Sequence, residues 1–171
     1  MDGKEADLTG ETVAERARPW WIDALLRGPA DLPTLPARAA VTLMIAGGAV
    51  CTVGSGIIHL YLWGKQYGYR DVPTIGPLFL LQGIVAILLG VLVIVSRRVL
   101  VLILAGGMLA VSVVALVLAI EVGLFGFRDS WLAPYAWTTF YEEIVGAVLL
   151  LSASGALGWS GVAGRLGRTS R

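Results

Sequence analysis

Four long apolar runs, separated by short polar connections, make up most of the chain from residue 38 onward. Each is close to the ~20 residues that a helix needs to cross a bilayer. The runs cover residues 39–63, 77–96, 99–120 and 144–163. Only two arginines separate the second run from the third, which predicts a tight hairpin. The pattern therefore predicts an all-α membrane protein, in which residues 38–163 form a four-transmembrane-helix antiparallel bundle.

The residues outside the predicted bundle of residues 38–163 divide into three segments. Residues 1–18 are polar and of mixed charge, which predicts a disordered tail because they cannot bury enough apolar surface to offset chain entropy. Residues 19–37 predict a short interfacial helix and a proline-rich linker, since Trp20 and Trp21 favour the membrane–water boundary. Residues 164–171 form a basic tail.

The composition supports a membrane protein and excludes several other classes. The chain of 171 residues is 57% hydrophobic and only 15% charged, whereas about a quarter of the residues in a soluble domain are charged. A net charge of +1 gives no basic surface for nucleic acid. A single cysteine, Cys51, excludes an intrachain disulfide. We therefore expect the lipid bilayer, and no nucleic acid, as a partner.

Basic residues are distributed unevenly between the two sides of a four-span arrangement. Because cytoplasmic flanks are enriched in lysine and arginine, the richer side predicts the cytoplasm. That side carries Arg27, Arg38, Arg97, Arg98, Arg165, Arg168 and Arg171, and the other carries Lys65, Arg70 and Arg128. The chain is thus predicted to be a multi-pass protein of the plasma membrane with both termini in the cytoplasm.

The four runs each bring a polar side chain towards the outer boundary. His59 lies four residues from the end of the first run and Gln82 five residues into the second. At ~1.5 Å per residue, both lie roughly 6–8 Å inside that boundary. Ionisable groups within a span are costly and mark functional sites. We therefore predict a ligand-binding cluster of His59, Gln82, Glu121 and one of Glu142 or Glu143, since neighbours on a helix diverge by about 100°.

Aromatic and basic side chains on the outer connections are candidates for the rim of this cluster. They are Tyr61, Tyr67, Tyr69, Arg70, Trp137 and Tyr141. Whether Glu142 and Glu143 lie inside the fourth span depends on residues 134–141, which are apolar enough to join it. If they do not join it, both glutamates can snorkel to water.

Each polar residue also has a structural interpretation. Gln82 can form an interhelical hydrogen bond worth about 1 kcal/mol, and Cys51 can serve packing alone. His59 titrates near neutral pH, which favours function. Small residues recur every four positions along the first run, as in Gly48, Thr52 and Gly56, and such a ridge lets helix backbones approach closely.

Several familiar chemistries lack their residues in this chain. One histidine cannot supply both axial ligands of a haem, although two copies of the chain could. A metal site of His59 with the glutamates has no supporting spacing motif, and there is no phosphate-binding loop, nucleophile elbow or HExxH sequence. We therefore assign no catalytic residue and no metal ligand, leave the cofactor open, and do not predict an enzyme.

The second run carries a resemblance to a known family. Its sequence, GPLFLLQGIVAILLGVLVIVSRR, is entered through Gly-Pro and left through a basic turn into a third apolar span. In this it resembles the DoxX/DoxD-like group of small four-span bacterial proteins, over residues 59–157. The family more often has a glutamate near the start of that helix, where this chain has Gln82. The resemblance implies an accessory subunit of membrane redox or thiol-homeostasis assemblies, and the high Ala, Val, Leu, Gly and Arg usage resembles that of actinobacterial proteins.

Three functional hypotheses follow. The leading one is a small integral membrane protein without catalytic activity, either an accessory subunit or a small-ligand binder, linked to membrane redox or quinone chemistry as the resemblance implies. The second is a small transporter or permease component, with the polar cluster as its vestibule. The third is a haem- or metal-binding protein using His59 from two copies. A membrane or soluble protein partner and a homo-oligomer are both compatible with the sequence.

Overall fold

The regular structure of the described residues is helical. The computed structural model describes the backbone of residues 20–64 and 68–169 and the side chains of residues 21–64 and 68–160. The five α-helices of these residues are α1 (Trp20–Leu25), α2 (Leu35–Gly64), α3 (Ile75–Ser96), α4 (Val99–Glu121) and α5 (Ala136–Thr169). Short 3-10 turns cover Pro29–Asp31 and Tyr69–Asp71. The prediction of an all-α protein is confirmed, and the predicted polar tail of residues 1–18 lies outside the described residues.

Four of these helices are long and apolar enough to cross a membrane, as predicted. They are α2, α3, α4 and the part of α5 from Ala136 to Ser160. The fourth begins earlier than the charge-free run 144–163, so Glu142 and Glu143 lie within helix α5. Helix α2 begins at Leu35, inside the predicted linker, because Pro36 occupies its first turn, where a missing N–H costs nothing.

The two arginines form a short connection between α3 and α4. Arg97 adopts a left-handed conformation, and its N–H donates to the Val93 carbonyl, which closes α3. Arg98 is extended, and α4 starts at the next residue. The Val99 N–H donates to the Arg27 carbonyl at 3.0 Å, so the segment after α1 lies against this turn.

The helices pack in an order that differs from their order along the chain. Helix α2 contacts α3 and α5 extensively, and α4 packs mainly on α5. Helices α3 and α4 are consecutive, yet they contact each other far less, and α2 touches α4 at few positions. The buried apolar core includes Ile45, Leu102, Leu109, Leu150 and Leu157.

Glycines set the close approach of α2 to α3. A Cβ at Gly56 would come within 2.9 Å of the Gly83 carbonyl oxygen, and one at Gly83 within 3.1 Å of the Gly56 carbonyl oxygen. Two helical turns further along α3, the missing side chain of Gly90 leaves the space that the Val53 side chain fills. Gly56, one of the small residues noted in the sequence, thus lies where two backbones meet, as in other small-residue helix contacts, whereas Gly48 leaves space for the Leu150 side chain of α5.

Substitution at this crossing should destabilise the fold. A Cβ at Gly56 would also come within 2.8 Å of Ile87 Cγ1, so Gly56→Ala should lower the free energy of unfolding by about 1–3 kcal/mol. The matched control is Gly107→Ala, where a Cβ meets nothing within 4 Å and alanine should add about 0.5–1 kcal/mol. Thermal unfolding in detergent micelles, followed by circular dichroism, measures both, and equal effects of the two changes would contradict the packing.

Candidate ligand-binding cavity

A cavity of about 500 Å³ lies between the first half of α3 and the second half of α4. The two helices are joined tightly at the other end, where only Arg97 and Arg98 separate them. Away from that turn each helix packs on a different neighbour, α3 on α2 and α4 on α5. The cavity fills the space that results, and residues 124–136 contribute to its wall beyond the helix ends.

The cavity wall is mostly apolar, with a small number of polar side chains. Phe79 and Val85 of α3 and Met108 and Ala115 of α4 are among the apolar residues that line it. The polar residues that line it are His59, Tyr69, Gln82, Ser112, Asp129, Tyr135 and Thr139. This combination of an apolar wall and few polar groups is typical of small-molecule sites.

His59 is held in one orientation on the α2 side of the cavity. Its side chain is only 7% exposed, and its ring lies 4.9 Å from that of Phe79, centroid to centroid. The Nδ1 atom is 2.8 Å from the Ser55 carbonyl oxygen. Because a carbonyl can only accept, Nδ1 carries the hydrogen in this contact. In the uncharged ring, Nε2 is then the hydrogen-bond acceptor.

Gln82 lies on the α3 side of the same cavity. Its amide nitrogen is buried and has no hydrogen-bond partner among the described residues. The interhelical hydrogen bond suggested as its structural role is therefore not formed by this atom. A buried amide N–H without a partner lowers the free energy of unfolding by about 1–3 kcal/mol. A leucine at this position would avoid that cost.

Glu143 lies behind the cavity wall, at the junction of three helices. Its side chain is fully buried. The hydroxyls of Ser55 on α2 and Ser112 on α4 both donate to its Oε1 atom, each at 2.7 Å. Its Oε2 atom is buried without a partner among the described residues. Since Ser112 also lines the cavity, one hydroxyl separates this carboxyl group from the cavity space.

The serines were missed as site residues in the sequence. Ser55 belongs to the small-residue ridge of α2, and a serine in such a ridge cannot be distinguished from a packing residue. A signal was available in the chain: Ser55 precedes His59 by four residues, so both lie on one face of the helix. Ser112 has no comparable neighbour in sequence.

The other two glutamates of the predicted cluster do not line the cavity. Glu142 is half-buried, and its carboxyl group lies against Gly54, where a Cβ would overlap it. Glu121 is exposed, and its Oε1 atom accepts a hydrogen bond from Trp131 Nε1 at 3.0 Å. Arg128 donates to the Glu121 carbonyl oxygen at 3.1 Å, which fixes the connection after α4.

Tyr69 is the one predicted rim residue that lines the cavity within the described part of the chain. Its ring stacks on Phe79 at 4.8 Å and meets Phe127 edge-on at 5.8 Å. Its hydroxyl donates to the Asp129 carboxylate, with 3.1 Å to Oδ2. Burial, and next the charge of Asp129, raise the pKa of Tyr69 above its usual range, so the hydroxyl stays protonated.

Four of the other predicted rim residues lie outside the cavity lining. The Arg70 guanidinium lies over the Trp63 ring at 5.0 Å, and the Tyr61 ring meets Tyr135 at 5.8 Å. Trp137 stacks on Trp131 at 4.5 Å and on Tyr141 at 5.8 Å. Tyr67 lies outside the described residues.

No group of three or more metal-binding side chains occurs in the part of the chain that the structure describes. Comparison with protein-family models, with curated proteins and with solved structures found no match. The resemblance to the DoxX/DoxD-like group therefore stays a prediction. What the site offers chemically rests on its own geometry: an imidazole, an unpaired amide and a buried carboxyl group around an apolar space.

The two serines should stabilise the fold jointly through Glu143. Ser55→Ala or Ser112→Ala leaves Oε1 with one donor and should cost about 1 kcal/mol. The double variant leaves the buried carboxyl group without a donor, so its cost should exceed the sum of the two single costs. Thermal unfolding in micelles measures the coupling.

The control for this cycle is Ser154→Ala, because that hydroxyl donates only to the Leu151 carbonyl of its own helix. We expect it to combine additively with either of the other changes. Additivity of the Ser55 and Ser112 substitutions would contradict the shared hydrogen bond.

Proposed function

We propose that this chain is a multi-pass membrane protein that binds a small lipophilic molecule without transforming it. In this proposal α2 to α5 form an antiparallel four-helix bundle in the plasma membrane, both termini are cytoplasmic, and α1 lies at the interface. The spanning lengths of the four helices support the membrane location. The arginine distribution in the sequence supports the orientation.

The observation that carries the proposal is the position of the cavity's mouth. Leu78 and Leu81 of α3 and Val111 of α4 line the cavity and are also largely exposed, Leu81 by 58% and Val111 by 69%. In a bilayer such an apolar surface faces the lipid chains. The gap between α3 and α4 then opens sideways into the membrane, which gives access to a molecule dissolved there.

The size and lining of the cavity agree with a small organic ligand. Ligand sites commonly have volumes of about 300–1,000 Å³ and apolar walls with a few polar groups that fix orientation, and this cavity, at about 500 Å³, falls within that range.

Blocking the cavity should abolish retention of a bound lipophilic molecule. Ala115 lines the cavity, so Ala115→Trp should fill much of the space. The control is Leu104→Trp on the same helix, because Leu104 is 52% exposed and does not line the cavity. Native mass spectrometry of protein extracted from its own membranes measures the bound mass. Loss in Ala115→Trp alone supports the proposal, and equal retention in both variants contradicts it.

The orientation is tested separately by cysteine labelling. In a Cys51→Ala background, Asp71→Cys on the exposed turn after α2 should react with a membrane-impermeant maleimide added outside intact cells. Arg98→Cys, at the exposed turn between α3 and α4, should react only after the membrane is permeabilised. The reverse pattern would invert the proposed topology.

A further inference from the structure

Two polar groups at the cavity have hydrogen-bonding capacity that the protein does not use. The first is His59 Nε2, because Nδ1 donates to Ser55 and no hydrogen bond to Nε2 occurs within the described residues. The second is the Gln82 amide nitrogen, which is buried without a partner in the described part of the chain. Both side chains line the cavity.

Two other polar side chains that line the cavity already donate hydrogen bonds to protein partners. The Ser112 hydroxyl donates to Glu143, and the Tyr69 hydroxyl donates to Asp129. A ligand that used either hydrogen would have to break an existing bond. His59 and Gln82, in contrast, offer a ligand hydrogen-bonding capacity that the protein does not use.

The two groups have complementary requirements. With Nδ1 protonated, the uncharged His59 ring offers Nε2 as an acceptor and needs a donor from the ligand. The Gln82 amide needs an acceptor for its N–H. The terminal torsion of a glutamine is broad and roughly two-fold, so the amide can turn its N–H towards the cavity at little cost.

We propose that the cavity binds a lipid-soluble alcohol or phenol, whose hydroxyl donates to His59 Nε2 and whose oxygen accepts from the Gln82 amide. The inference rests on the proposed function, because it names the ligand class of the same cavity. A ketone, ester or ether lacks the hydrogen that His59 requires, and a hydrocarbon satisfies neither residue. The aromatic rings of Phe79 and Phe127 in the wall favour a phenol as the probe, since aromatic rings pair favourably.

Three matched probes separate the two hydrogen bonds. They are 4-octylphenol, which has a donor and an acceptor, 4-octylanisole, which has an acceptor only, and octylbenzene, which has neither. Binding of each radiolabelled probe is measured on the full chain in phosphatidylcholine nanodiscs, with partition into empty nanodiscs subtracted. We expect 4-octylphenol to bind about tenfold more tightly than 4-octylanisole, because each hydrogen bond to a desolvated group contributes about this factor, and octylbenzene to bind more weakly still.

Two variants assign the bonds to their residues. His59→Phe should weaken the binding of 4-octylphenol about tenfold and leave the affinity for 4-octylanisole unchanged, because only the phenol donates to the imidazole. Gln82→Leu should weaken the binding of both of these probes and leave the affinity for octylbenzene unchanged. Gln82→Leu should also unfold no earlier than the natural chain, since it removes an amide nitrogen without a partner. The control is Thr42→Val, a polar-to-apolar change on α2 outside the cavity lining, which should alter none of the three affinities.

The outcomes distinguish a wrong ligand class from a wrong proposed function. Binding of all three probes with equal affinity overturns the alcohol or phenol assignment and leaves a lipophilic site. No binding above that of empty nanodiscs overturns the proposed function itself. If His59→Phe fails to fold, the comparison of the three probes on the natural chain still decides the ligand class.

Discussion

The buried carboxyl group of Glu143 connects helices that otherwise have little contact. Helix α2 touches α4 at few positions, but Glu143 on α5 accepts hydrogen bonds from a serine on each of them. A carboxyl group in an apolar interior is tolerated only when it has hydrogen-bond partners. Its requirement for donors therefore fixes the rotation of three helices about their axes, and with it the side of α2 on which His59 lies.

The cavity exists because α3 packs closely on α2 while α4 packs closely on α5. Glycines allow α3 to approach α2 closely. A side chain at Gly83 or Gly90 would overlap atoms of α2 at that crossing. Gly106 of α4 and Gly146 of α5 accept Leu151 and Leu109 from each other's helices in the same way. The short turn between α3 and α4 holds one end closed while the other end stays apart.

The sequence was sufficient for the elements but only partly for the site. Apolar run length predicts the helices because in hydrocarbon only a helix satisfies its own backbone, and Arg97 and Arg98 predict the hairpin. Depth along a helix placed His59 and Gln82 at one level, and both line the cavity. The depth of a residue along a helix does not say which side of the helix it lies on. Glu121 lies at a suitable depth, but its side chain is exposed and accepts a hydrogen bond from Trp131. A helix surrounded by lipid is apolar on all sides, so its pattern carries no such direction.

The proposed side entrance between α3 and α4 would change the quantity that governs occupancy. A molecule that reaches the cavity through the hydrocarbon layer competes with lipid chains for the space, so its effective concentration is its mole fraction in the bilayer. Adding lipid at constant total ligand would then empty the site, whereas adding water would hardly affect it. For a strongly partitioning molecule, membrane area and not aqueous volume would set the fraction of this protein that is filled.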